Sequence, residues 1–228
     1  MPPRPHVVGV DLCRGEWLAA SITIDRPGKP RFCLGAELSA VIDAFPGALV
    51  IGIDIPIGLH PEGPREADAA TARFIGRRAS SVFRMPPRAV LEADTHALAV
   101  QASRALGVAA PSIQAYGLRA RIFEAEAVAA LDPRVIEVHP EASLRCMAGE
   151  PLAQGKKTWN GSMQRRQLLA TAGIGIPPDL GLAGRAAIDD VLDACAAAWT
   201  AARYSRAEAG CFPDPPQMVD GRRVAIWY

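Results

Sequence analysis

The sequence has 228 residues, half of them apolar and 21% charged, with a formal net charge of +1. That length carries one large domain with a real core or two small ones, and the near-neutral balance excludes polyanion binding by overall charge. Any nucleic-acid affinity must come from local basic patches.

No signal-peptide apolar region follows Met1 to His6. The most apolar stretch, Ala44 to Leu59, is broken by Pro46, Asp54 and Pro56. A bilayer span needs about 20 predominantly apolar residues, so neither a leader nor a membrane partner is expected. The five cysteines, Cys13, Cys33, Cys146, Cys195 and Cys211, form no close pair. They read as reduced, buried thiols of a cytoplasmic chain rather than a disulfide or zinc framework.

In chain order, His6 to Asp11 (HVVGVD) reads as a buried strand ending in an acid. Arg14-Gly15 turns the chain into a second strand, Trp17 to Ile24, and Arg31 to Leu34 supplies a third. Such tight connections predict an antiparallel meander. Ala36 to Phe45 has helical apolar spacing, and Ala48 to Ile53 is a buried strand ending at Asp54. Pro56 to Arg88 is rich in Pro, Gly and Arg and breaks the pattern. Ala89 to Leu106 and Ser112 to Leu131 read as helices, and Arg134 to Val138 as a strand carrying Glu137. Gly149 to Ser162 reads as a polar, basic loop, followed by helices over Met163 to Ala172 and Ala186 to Tyr204. In the tail, Pro213 to Tyr228, two short extended pieces flank a turn at Asp220-Gly221. The expectation is one α/β domain over residues 1–228. Its mixed sheet has roughly five strands, the first three antiparallel, with helices around it and a helical insertion at about 56–131 after the fourth strand.

Two apolar runs end in aspartates, Asp11 and Asp54, and a third carries Glu137. Asp190 and Asp193, three apart, share one face of the last helix. Strand ends in an open α/β sheet leave a crevice where sites form. Gathered carboxylates repel one another and resist burial unless a hard divalent cation offsets both effects. Each acid also has a plainer reading. Asp11 and Asp54 suit turns, and Asp189 and Asp190 suit a helix start.

The segments GVDLCRGEWLAA, IGIDIPIGL, GRRASSVFRMPPR, SIQAYGLRARIFE, VIEVHPEASLRCMAGEPL, KKTWNGSMQRR and DDVLDACAAAWTAAR lie between Val8 and Arg203. Together they resemble the DUF429 family, described as predicted RNase H-like nucleases. The first hairpin resembles that superfamily generally, and the last helix resembles the catalytic helix of RuvC-type junction resolvases. The resemblance implies an RNase H-like fold holding Mg²⁺ or Mn²⁺. By position, Asp11 is the first-strand ligand, Asp54 the fourth-strand ligand and Asp193 the last-helix ligand. Asp190 and Glu137 complete the catalytic acids, and His139, in His139-Pro140-Glu141, is a further ligand or proton-transfer candidate.

Two basic patches suit phosphates: Arg77-Arg78, followed by Ser80-Ser81, and Lys156-Lys157 near Trp159. A solvated, salt-bridged surface is the plainer reading of both. The leading expectation is a two-metal phosphodiesterase acting on nucleic acid or another phosphoester. The alternatives are an ATP-dependent phosphotransferase of the same superfamily and a non-catalytic nucleic-acid or protein-binding module. The short Cys13 to Glu16 connection leaves little room for the phosphate loop that a phosphotransferase requires.

Overall fold

The computed structural model describes residues 4–219 and 221–228. Strands β1 (His6–Cys13), β2 (Glu16–Thr23) and β3 (Arg31–Gly35) form the expected antiparallel meander. β1 and β2 are apolar on both faces because helices cover both, which is why their sequences barely alternate. After helix α1 (Leu38–Asp43), β4 (Ile51–Ile53) returns parallel to β1, and β5 (Val135–Val138) pairs parallel to β4.

The tail departs from expectation. β6 (Cys211–Val219) and β7 (Arg222–Trp227) are full strands that extend the sheet, giving seven in the order β3-β2-β1-β4-β5-β7-β6 rather than five. β6 carries Pro213, Pro215 and Pro216, which an edge strand tolerates because one side needs no backbone donors. Asp220 of the expected turn lies outside the described residues.

Between β4 and β5 run helices α2 (Glu66–Ile75), α3 (Arg88–Leu91), α4 (His96–Ala105), α5 (Ile113–Gly117) and α6 (Arg119–Leu131). α2 departs from expectation: its buried Ala67, Ala72 and Ile75 stand among flanking Pro and Arg residues that read as irregular chain. Each of the two long helices expected here is split. Thr95 caps Leu98 N–H and restarts the first, and the second breaks at Leu118. α7 (Pro140–Ala148) follows β5, with Pro140 in its first turn, where a missing N–H costs nothing. α8 (Trp159–Thr171) begins four residues earlier than expected because Thr158 caps Gly161 N–H. The last helix is α9 (Ile188–Ser205).

Two apolar layers sandwich the sheet. Val7, Leu18, Ala20 and Val138 pack with α9 on one face, and Val8, Val10, Ile51 and Ile53 pack with α1, α3 and α6 on the other. Gly9 and Gly52 are register partners on the α9 face. A Cβ at Gly9 would lie 2.1 Å from Ala194 O and Ala198 N, and one at Gly52 would lie 3.0 Å from Ala197 O. The glycine pair and the alanine stripe together seat α9 nearly backbone to backbone on the sheet. No helix among the described residues is long and apolar enough to cross a membrane.

Candidate metal centre

Strand alternation sets the direction of each acid. Asp11 lies two residues beyond Gly9 and Asp54 two beyond Gly52, so both side chains face α9. Asp193 directly precedes Ala194, the residue that touches Gly9, so the close seating of α9 lowers its carboxylate onto the other two. One oxygen from each of Asp11, Asp54 and Asp193 lies within 4.8 Å of the others. Asp11 and Asp193 are buried and Asp54 is half-buried. Asp11 Oδ1 accepts from Leu12 N–H at 2.7 Å, while Asp193 Oδ1 is buried with no partner.

Burial holds the Asp11 carboxyl well above the usual carboxylate range, and repulsion from Asp54 and Asp193 adds to it. Burial also pushes Asp54 up to about 7; Lys156 opposes the shift, while Glu141 and Asp190 reinforce it. Asp193 rises to about 7 as well, from burial first, with Lys156 opposing and Asp54 reinforcing. Three acids driven toward protonation chiefly by burial, with neighbouring carboxylates adding to it, are a site that gains on receiving a cation. The oxygen-only donor set and the orphaned Asp193 Oδ1 fit a hard divalent ion.

The acids open into a cleft of about 470 Å³ whose lining includes Asp190, His139, Lys156, Lys157, Ser80 and Ser81. Burial raises the pKa of the Cys13 thiol, and neighbouring Asp190 adds to the shift. The Nζ of Lys156 lies 2.5 Å from Asp193 Oδ2 and 4.0 Å from Asp189 Oδ2, on the α9 side of the acid cluster. Burial opposes its charge, but the surrounding aspartates more than compensate and raise its pKa. His139 Nε2 lies 3.4 Å from Ser81 O, Nδ1 is unpartnered, and burial depresses the imidazole's pKa.

The remaining expected residues are placed differently. Glu137 is the register partner of Ile53 and so points to the sheet face opposite Asp11. Its carboxylate reaches the cleft edge, but buried Arg65 and Ile57 N–H engage it, anchoring the start of the insertion. Arg77 and Arg78 do not line the cleft; Arg78 donates to Ala153 O at 3.0 Å and braces the loop before α8. Arg165, in the basic segment that begins at Lys156, does not belong to a solvated surface. It is fully buried and grips Glu141 with Nε and Nη2 at 2.7–2.9 Å. Its position four residues before buried Leu169 and four after buried Gly161 was the available signal.

No curated protein and no solved structure matches the chain. The family described as "Protein of unknown function (DUF429)" matches residues 9–218, which takes in every acid of the cluster. The chain belongs to the DUF429 family.

Proposed function

We propose that the chain is a metal-dependent phosphodiesterase of the RNase H-like superfamily, acting on nucleic acid with Mg²⁺ or Mn²⁺ held by Asp11, Asp54 and Asp193. The carrying observation is the convergence of three carboxylates from β1, the end of β4 and α9 within 4.8 Å, with Asp193 Oδ1 unpartnered. An antiparallel meander followed by parallel strands, with acids on the first strand, the fourth strand and the last helix, is the arrangement the superfamily resemblance implies.

Divalent ions supply an activated water and charge stabilisation at the leaving oxygen. The chain's own groups do the rest. The three aspartates bind and orient the cation. Lys157 and Ser80, both exposed in the cleft lining, present donors for phosphate oxygens, whereas the Ser81 hydroxyl is already given to Arg78 O. His139, kept neutral by burial and with Nδ1 free, is available to accept a proton. The two-residue turn at Arg14-Gly15 gives no phosphate loop, which weighs against the phosphotransferase reading. The five free cysteines fit a reducing cytoplasm.

The test is purified protein with Mg²⁺ or Mn²⁺ on single-stranded, duplex and branched DNA and RNA. Cleavage is expected in wild type and lost in Asp11→Asn, which keeps the side chain's size and removes its charge. Cleavage that survives Asp11→Asn would refute the proposal.

A further inference from the structure

We propose that Lys156 fills one cation position of the acid cluster, so that the centre takes a single divalent ion per chain rather than a pair. This rests on the metal-site reading above.

The first support is that the lysine is built in rather than drifting. Arg165, fully buried, donates to Gln154 O at 3.1 Å and to Gly161 O at 2.9 Å. Arg78 donates to Ala153 O, and Thr158 Oγ1 donates to Gly155 O at 2.8 Å. Gly155 lies so close to α8 that a Cβ at Gly161 would fall 1.9 Å from its carbonyl oxygen. Residues on both sides of Lys156 are therefore fastened, and its stem enters the cleft from a fixed point.

The second support is which oxygens remain open. Lys156 takes Asp193 Oδ2 at 2.5 Å, and Leu12 N–H takes Asp11 Oδ1. Asp193 Oδ1 is left without a partner. One acid thus has one oxygen held by an ammonium and the other free, which suits one cation beside a lysine better than two bridged cations. The third support is charge. Three carboxylates and one ammonium sum to −2, the charge that one divalent ion neutralises. Two-metal phosphodiester centres place their ions about 3.5–4 Å apart, and an ammonium paired to Asp193, one of the three acids, competes for that second place.

The experiment is a titration of metal-stripped protein with Mn²⁺ alone, followed by calorimetry and electron paramagnetic resonance, on wild type, Lys156→Met and Lys156→Gln. Circular dichroism and melting confirm that each variant is folded, and two substitutions guard against one failing. Wild type is expected to bind one Mn²⁺ with an uncoupled six-line spectrum. At least one folded variant is expected to bind two, with the broadened, exchange-coupled signal of a close pair. Two ions in wild type, or one in wild type and in every folded variant, would overturn the proposal while leaving the metal site intact. Mn²⁺ bound by a variant but not by wild type would mean that the ammonium fills the sole site, and would also overturn it. No binding by any of the proteins would overturn the metal-site reading itself, and this inference with it.

Discussion

Replacing Gly9 by alanine probes how the acids are brought together, because the change touches none of them. The added Cβ would lie 2.1 Å from Ala194 O and Ala198 N, where ordinary contact begins at 3.4 Å, so α9 must retreat by the difference, about 1.3 Å. Both clashing atoms are helix backbone, which cannot rotate aside. Overpacking a tight core costs about 1–3 kcal/mol, and the upper end applies here. For a chain of this size, that lowers the melting temperature by about 6–12 °C. Asp193 moves with the helix, so Mn²⁺ affinity should fall by about 10- to 100-fold, the range for residues that support metal ligands. Gly52→Ala meets Ala197 O at 3.0 Å and a Val138 methyl at 2.8 Å, and should be milder on both counts. Gly117→Ala, with nothing within 4 Å, is the control and should be neutral or stabilising by up to about 1 kcal/mol. Thermal melts and Mn²⁺ calorimetry on the three variants decide the matter. A Gly9→Ala protein that melts and binds Mn²⁺ like wild type would refute the seating of α9 as the device that assembles the cluster.

Three further outcomes are expected. Asp54 has a folded pKa raised from 3.8 to about 7, so the folded chain holds the extra proton in that window. Metal-free stability should therefore fall as pH climbs from about 4 to about 7 and then level off. Asp54→Asn in EDTA should flatten that slope, and a wild-type minus variant difference that grows in wild type's favour with pH would contradict it. Arg165→Met should cost about 3–5 kcal/mol in urea unfolding because it leaves the buried Glu141 carboxylate unpaired; a loss under about 1 kcal/mol would deny the pair its structural role. If Lys157 meets a phosphate, Lys157→Ala should reduce the salt slope of nucleic-acid binding by about one, and an unchanged slope would remove it from the interface.

The meander, β4, β5 and α9 were legible because each is a pure signal: an apolar run bounded by a turn, or an alanine-rich helix opened by acids. Asp11 and Asp54 were legible as candidates because they close apolar runs, and Asp193 because it shares a face with Asp190 in a largely apolar helix. Their convergence was expected from the strand-end crevice and the family resemblance, but the packing that produces it was not legible. It depends on Gly9 and Gly52 being register partners, which the sequence does not state. The full length of β6 was not legible, since its prolines argue against a strand and only an edge position reconciles them. α2 was missed because Pro, Gly and Arg around it masked three buried apolar positions. Glu137 and Arg165 show the reverse problem. A charged residue in a promising segment is ambiguous until its partner is known, and here the partners are 72 and 24 residues away.

The most direct test of the central claim is a crystal structure of the protein soaked in Mn²⁺, with anomalous scattering used to locate the ion. A peak bound by carboxylate oxygens of Asp11, Asp54 and Asp193 at about 2.2 Å is the predicted result. Mn²⁺ at saturating concentration found only elsewhere, with these three acids uncoordinated, would contradict it.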